Sequence, residues 1–514
     1  MSPSSSQVKA LLRQIYTGRG SATQARETLL HALQKVADRR SKLSSPTEIA
    51  VKELSESEDF PWIISNAYWV LRGQSDSLSP GIIFTPPQVA NKLVSHLLRD
   101  ITVVDLGAGT GMLTLAAAKR GFRVISIEED AEMINVLDRL ARILGVRDLV
   151  DLRMQDVFDY QTSAKQQIMS NPPYTRHHAI PPRRKQLLAE FVSRLGVRLP
   201  LTAGQHAYFM IYAWTAEWSC KEVLLLPTNW IDAKYGAELR EIMMERGARE
   251  ILFLQNGNGK SVFNNALTTA CLIATQQSEA RVTKPRILGV DVHSDGSKEK
   301  NKKNYLFPLK KFKKIFNFDK HLELNGTHTL GEFFRVKRGI ATGSNSFFVL
   351  SKSSADANGL QENELCPILR RLAPRTLRVD LHYLWVPAKS PSKISLGRIR
   401  QGKRLSVDKR YLCRMRKPWW RVDIPNPPDY FITYMGRAQP IIKKNTQNLL
   451  NLNNIHGFYL KKNVSKKAGK RLIAWLRSSG GLEALETCAR HYQGGLWKLE
   501  PGDLERLRIP KGVL

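Results

Sequence analysis

The chain has 514 residues, 79 Lys plus Arg against 46 Asp plus Glu, and a formal net charge of +33. At about 150 residues per domain that length holds two to four domains. Its 42% hydrophobic and 24% charged content is globular and excludes wholesale disorder. Cys220, Cys271, Cys366, Cys413 and Cys488 are scattered and form no CxxC pair, so neither a disulfide framework nor a zinc site is expected. No run approaches the ~18 apolar residues of a membrane span, and the opening Met-Ser-Pro-Ser-Ser-Ser lacks a signal pattern. A cytoplasmic protein without metal or membrane is expected. So large a positive excess self-repels unless a polyanion is the partner, which points to nucleic acid.

In chain order, residues 7–16 and 22–39 carry apolar residues at three- and four-residue spacing and read as helices. From about Ser79 the pattern changes. Strand-like runs at 102–106, 123–128, 149–154, 167–169, 222–226, 250–254 and 270–274 alternate with helical stretches such as 132–144. Such alternation predicts a mostly parallel sheet with helices on both faces. Residues 275–320 read as linker or insertion, with eight lysines and one glutamate in 298–314. Beyond about Thr329 the charge is lopsided: 365–422 holds sixteen Lys or Arg against Asp380 and Asp408, and 430–482 holds ten against none. A neutral solvated surface does not look like this.

The segment Val103-Val104-Asp105-Leu106-Gly107-Ala108-Gly109-Thr110-Gly111 is a strand entering a tight turn before a helix. Its GxGxG spacing puts Met112 where a dinucleotide fingerprint needs glycine, so a pyrophosphate is not the fit. Glu128 ends the next strand, where an acid takes ribose hydroxyls. Asp156 follows the third, where a carboxylate can accept from an adenine amino group. Each acid alone could equally be a helix cap. Together they resemble the class I S-adenosylmethionine-dependent methyltransferase fold. Asp105, Gly107, Gly109 and Gly111 match its first motif, Glu128 its second and Asp156 its third.

Ser170-Asn171-Pro172-Pro173-Tyr174 follows an apolar strand, at the carboxyl end where open α/β sheets bind ligands. An exocyclic amino nitrogen is a poor nucleophile because its lone pair is delocalised into the ring. Two acceptors on its N–H groups favour the localised form, and they strengthen as charge builds. The Asn171 side-chain oxygen and the Pro172 carbonyl are the candidate acceptors, and Tyr174 offers a stacking face.

With these motifs the sequence resembles gamma-class adenine-specific DNA methyltransferases of restriction–modification systems, the TaqI-like and Eco57I-like enzymes. Phe84-Thr85-Pro86-Pro87 matches the segment that closes over the methionine end of the cofactor, and Val262-Phe263-Asn264 the segment supplying a second aromatic wall for the base. The resemblance implies S-adenosylmethionine bound by Thr85, Asp105, Gly107, Ala108, Gly109, Gly111, Glu128, Asp156 and Asn171. It implies a flipped-out adenine stacked by Tyr174 and Phe263, beside the catalytic Asn171, Pro172, Pro173 and Tyr174. The resemblance runs from about residue 79 to the C-terminus; the expected divisions are an N-terminal helical region outside it (1–78), a catalytic domain (79–278), a basic linker or insertion (279–328) and an α+β target-recognition domain (329–514).

In that last domain Arg338-Gly339-Ile340-Ala341-Thr342-Gly343-Ser344-Asn345 resembles the opening of the recognition module. Arg414, Arg416, Lys417, Trp419, Trp420 and Arg421 interleave cations with aromatics, the alternative being a packed Trp pair with peripheral charge. Lys461, Lys462, Lys466 and Lys467 are expected to grip phosphate. Methylation of RNA adenine, methylation of a release-factor glutamine and catalytically idle nucleic-acid binding are the alternatives. No nuclease site is visible: after Pro428-Asp429 no acid occurs until Glu483, so any paired restriction endonuclease is expected on a separate chain.

Overall fold

The computed structural model describes residues 3–16, 21–75, 81–231, 233, 235–255, 262–263, 269–277, 285–292, 328–372, 381–492 and 496–513. The chain divides into two compact units, Met1–Phe318 and Asp319–Leu514.

The first unit opens with four helices: α1 (Pro3–Ile15), α2 (Ala22–Ala37), α3 (Pro46–Leu54) and α4 (Phe60–Ser75). Ser21 with Gln24 and Ser45 with Glu48 form capping boxes that start α2 and α3. Next come α5 (Pro87–Val94), β1 (Val103–Leu106), α6 (Met112–Ala118), β2 (Val124–Glu128), α7 (Ala131–Ile143), β3 (Val150–Met154) and β4 (Gln166–Ser170). They are followed by α8 (Pro182–Arg194), α9 (Gln205–Thr215), β5 (Ser219–Pro227), α10 (Gly236–Glu245), β6 (Ala248–Gln255), β7 (Ala270–Gln276) and β8 (Arg286–Asp291).

The eight strands form one sheet in the order β3-β2-β1-β4-β5-β7-β6-β8, with β7 antiparallel to both neighbours and the other pairs parallel. Every residue of β1 is buried, as a strand covered on both faces must be. One face packs Tyr208, Phe209, Ile211 and Leu239 of α9 and α10; the other packs Val89, Leu93 and Leu113 of α5 and α6. The N-terminal helices share a core with the sheet unit: Leu29, Leu33, Ile64 and Leu71 pack with Val136, Leu137 and Leu140 of α7. The strand order reverses between β1 and β4, so a crevice opens at their carboxyl ends.

All seven expected strands are present. The eighth, β8, corrects the expectation of a linker over 275–320, because Ile287 and Val290 are buried on the sheet edge against β6. The lysine run at 298–314 lies outside the described residues.

The second unit has two four-stranded sheets. One pairs Phe334–Arg338, Ile455–Leu460, Tyr430–Thr433 and Ile442–Lys444, all antiparallel. The other orders Val349–Leu350, Leu381–Trp385, Leu365–Leu369 and Leu450–Asn451. Helices Lys393–Arg404, Lys466–Arg477 and Ser479–Cys488 complete this α+β body.

Candidate active site

A cavity of 310 Å³ lies at the carboxyl ends of β1, β2, β3 and β4. It falls within the roughly 300–1,000 Å³ of small-molecule sites. Thr85, Asp105, Gly107, Ala108, Gly109, Glu128, Asp156, Asn171 and Pro173 all line it. Motifs spread over some ninety residues of sequence therefore meet in one place.

The glycine turn has distinct jobs. Gly109 has φ +58, and a Cβ there would meet no atom within 4 Å, so its bare backbone faces open space. Gly111 does not line the cavity. At φ +90, a Cβ there would lie 2.0 Å from Leu137 Cδ1, so this glycine lets α7 pack close.

Asn171 is oriented by its amide. Its Nδ2 donates to the Ile83 carbonyl at 2.8 Å and to Thr85 Oγ1 at 3.0 Å. The Ile83 carbonyl can only accept, which fixes the –NH₂ on that side. The opposite atom, Asn171 Oδ1, is buried without a partner among the described residues. Gly81 braces the same motif, its carbonyl accepting from Tyr174 N at 2.8 Å. A Cβ at Gly81 would lie 2.4 Å from Thr175 N. The segment 81–85 thus straps the Asn171 loop.

Asp105 is 1% exposed; Thr114 Oγ1 donates to its Oδ2 at 2.7 Å, and its Oδ1 has no partner among the described residues. Burial pushes its carboxyl up to about 7, against the pull of Thr114. Glu128 accepts from Gly109 N at 2.8 Å and Asp130 N at 3.0 Å, while burial raises its pKa. Asp156 is engaged by Arg184, whose Nη2 donates to Oδ1 at 3.0 Å and whose Nη1 donates to Oδ2. Burial opposes ionisation there, but Arg184 and the Phe158 N–H hold the carboxyl below its ordinary range. Arg184 lines the cavity and sits 5.6 Å over the Phe158 ring; sequence reasoning did not single it out.

The N-terminal helices reach this site through α4. Trp69 packs edge-on against Phe84 at 5.5 Å, Ser65 Oγ and Thr110 Oγ1 are 2.7 Å apart, and Arg72 Nη2 donates to Asp130 Oδ2 at 2.5 Å. Phe84 and Asp130 line the cavity. No motif in the sequence marks α4 for this support.

The aromatic pair is placed differently from a base-stacking slot. Tyr174 and Phe263 meet edge-on, 83° between planes and 6.2 Å between centroids, and Phe263 is 3% exposed in the core. Tyr174 donates to the Leu225 carbonyl at 3.3 Å, and burial, then Cys271, pushes its phenol up. Asn264 lies outside the described residues. His206 was also missed. Its ring stands 6.4 Å from Tyr174, its Nδ1 is unpartnered among the described residues, and burial lowers its pKa to about 4.

In the second unit the expected DNA contacts separate. Arg416 donates to the carbonyls of Thr342 (2.8 Å) and Ala341 (2.6 Å), and Trp419, 9% exposed, packs on Phe347 and Phe348. These two correct the reading of 414–421 as an open cation–aromatic surface. The segment is folded onto 341–344, where a Cβ at Gly343 would meet Cys413 Sγ at 2.8 Å. Trp420 is half-buried against Trp419. Arg338 is ion-paired with Glu500 and stacked on Tyr434. Arg414, Lys417, Arg421, Lys461, Lys462, Lys466 and Lys467 are exposed, Arg421 lying 3.6 Å from Asp423.

Residues 88–196 match the methyltransferase small domain family, and residues 382–514 match the C-terminal domain of type II methyltransferase M.Eco57I. The first unit has the class I methyltransferase fold. Over 84% of its length the chain is 25% identical to type II methyltransferase M.XamI of Xanthomonas campestris pv. amaranthicola, covering 85% of that protein. It is 22% identical to type II methyltransferase M.AccI of Acinetobacter calcoaceticus over the same shares. Among solved structures, the type IIL restriction–modification enzyme MmeI in complex with DNA matches 82% of this chain and 63% of its own, at 12% identity and a TM-score of 0.52. This fold and these relatives imply S-adenosylmethionine as the methyl donor. The residues present fit it: a cavity of suitable size, a bare Gly109, and an unpaired acceptor on Asp105 among the described residues.

Proposed function

We propose that the chain is a site-specific DNA methyltransferase of the gamma class. It transfers a methyl group to the exocyclic amino nitrogen of an adenine flipped out of duplex DNA, as the modification component of a restriction–modification or related defence system. The observation that carries this reading is Asn171 Oδ1, a buried acceptor with no partner among the described residues, whose direction is set by Ile83 and Thr85. Leaving such an atom unpaired costs about 1–3 kcal/mol, so a donor is expected to fill it. An amino group does so, with the Pro172 carbonyl as the second acceptor, and both contacts tighten as the nitrogen gains charge.

S-adenosylmethionine supplies an electrophilic methyl group; Asp105, the glycine turn, Glu128 and Asp156 would hold it. Residues 79 to the end of β8 at Asp291 act as the catalytic domain and 329–514 as the target-recognition domain, whose similarity to type II methyltransferases supports a DNA substrate. Any cognate endonuclease is a separate chain.

The test is transfer of labelled methyl to adenine-unmethylated duplex DNA, matched RNA and a release factor, followed by digestion and identification of the product. Labelled N6-methyladenine from DNA is the expected result. Label in RNA or protein, or on cytosine, would overturn the substrate assignment.

A further inference from the structure

Residues 160–189 contain no Asp or Glu, and within them Arg176, His177, His178, Arg183, Arg184 and Lys185 follow directly on the Asn171–Tyr174 motif. The chain leaves the cavity wall at Thr175 and returns to it at Arg184. Between these points a 3₁₀ turn at His177–Ala179 and the buried Ile180 seat the loop before α8 begins at Pro182. The loop is therefore a rim of the active-site cavity.

Its charges are arranged against the interests of the fold. Arg176, His178 and Arg183 are exposed, and His177 and Lys185 are half-buried. The first turn of α8 carries three cations and no acid, at the end of a helix whose dipole disfavours cations. Partial burial first, and then the neighbouring Lys185 and His178, hold His177 below its usual range. Arginines that serve the fold of this unit are paired: Arg72 with Asp130, Arg147 with Asp138, Arg246 with Glu222, and Arg184 itself with Asp156. Arg176, Arg183 and Lys185 make no ion pair or side-chain hydrogen bond among the described residues. An anion brought to this rim would meet three uncommitted cations and the uncapped start of α8.

We propose that Arg176, Arg183 and Lys185 form a phosphodiester-binding site on the cavity rim, holding the backbone of the DNA strand that carries the reacting base. The inference rests on the DNA methyltransferase reading above and deepens it. It places part of the DNA-binding surface in the catalytic unit rather than solely in the basic C-terminal unit. A base drawn out of its duplex keeps its phosphates, and those flanking it must lie near the mouth of the cavity that receives it.

The test uses the full chain with Arg176→Gln, Arg183→Gln and Lys185→Gln combined, a charge-preserving partner (Arg176→Lys, Arg183→Lys, Lys185→Arg), and a control (Lys119→Gln, Arg120→Gln, Arg123→Gln). The control charges lie between α6 and β2, at the opposite ends of the strands. Binding of a fluorescein-labelled, mixed-sequence duplex is followed from about 50 to 200 mM salt. Each lost phosphate contact lowers the slope of log K against log salt by about 0.9, so the neutralised variant is expected to lose about 2–3 from the wild-type slope. The charge-preserving variant and the control keep that slope, and calorimetry shows S-adenosylmethionine binding unchanged in all three. A clear wild-type slope unaltered in the neutralised variant would overturn this proposal and leave the methyltransferase reading standing. A slope lost equally in the control, or cofactor binding lost with the DNA, would also overturn it. A wild type that does not bind DNA would overturn both.

Discussion

As sequence, the cavity residues of the first unit and the basic segment 414–421 of the C-terminal unit are equally suggestive, yet the structure treats them oppositely. In the cavity, residues from four strand ends converge and leave acceptors without partners at Asn171 Oδ1 and Asp105 Oδ1. In the basic segment, the conspicuous groups are consumed by the fold: Arg416 by two carbonyls, Trp419 by an aromatic core. What marks a site is polar capacity the fold leaves unused, rather than the density of suggestive residues. By the same measure the exposed lysines of 461–467 remain available for phosphate, and Arg338, paired with Glu500, is committed to the fold.

Variants at four sites would break or sharpen this contrast. The largest effect on stability is expected from Trp419→Ala, at about 3–5 kcal/mol in denaturant unfolding, because a buried aromatic leaves a cavity. A Trp419 acting as a surface contact would instead weaken DNA binding with little change in stability. Gly111→Ala is expected to cost about 2–4 kcal/mol, since it adds a left-handed penalty to overpacking against Leu137; adding Leu137→Ala should recover part of the loss.

Asp105 gives a pH signature. Its pKa rises from 3.8 to about 7 on folding, so the native state takes up a proton between those values. Wild-type stability should therefore fall as pH rises from about 4 to about 7 and level off above. In paired thermal melts, the gain from Asp105→Asn should widen over that window. A gain that is constant with pH would mean that Asp105 is ionised throughout. The smallest stability effect, within about 0.5 kcal/mol, is expected from converting Lys461, Lys462, Lys466 and Lys467 to Gln. That variant should nonetheless flatten the salt dependence of DNA binding.

The strands of the first unit and the ring of cavity-lining residues were legible because buried parallel strands read as apolar runs and their motifs sit at the carboxyl ends. Strand β8 was not read, because the lysine-rich run after it drew Arg286–Asp291 into an apparent linker. The role of α4 was invisible for a different reason. Ser65, Trp69 and Arg72 act through partners more than ten residues away, at Thr110, Phe84 and Asp130, and no local pattern records that. The same holds for Arg184, whose partner Asp156 lies 28 residues earlier. In the second unit composition revealed the charge, but not which cations the fold would bind to its own carbonyls and carboxylates.

In the proposed reaction Asn171 Oδ1 accepts from the reacting amino group rather than propping the cofactor cavity. The most direct measurement is single-turnover methylation of DNA alongside S-adenosylmethionine affinity, for wild type and Asn171→Ala. The expected rate for Asn171→Ala is lower by about 10²–10³-fold, as for loss of one preorganised transition-state contact, with cofactor affinity within a few-fold of wild type. A methylation rate that falls only as far as cofactor binding does would contradict it.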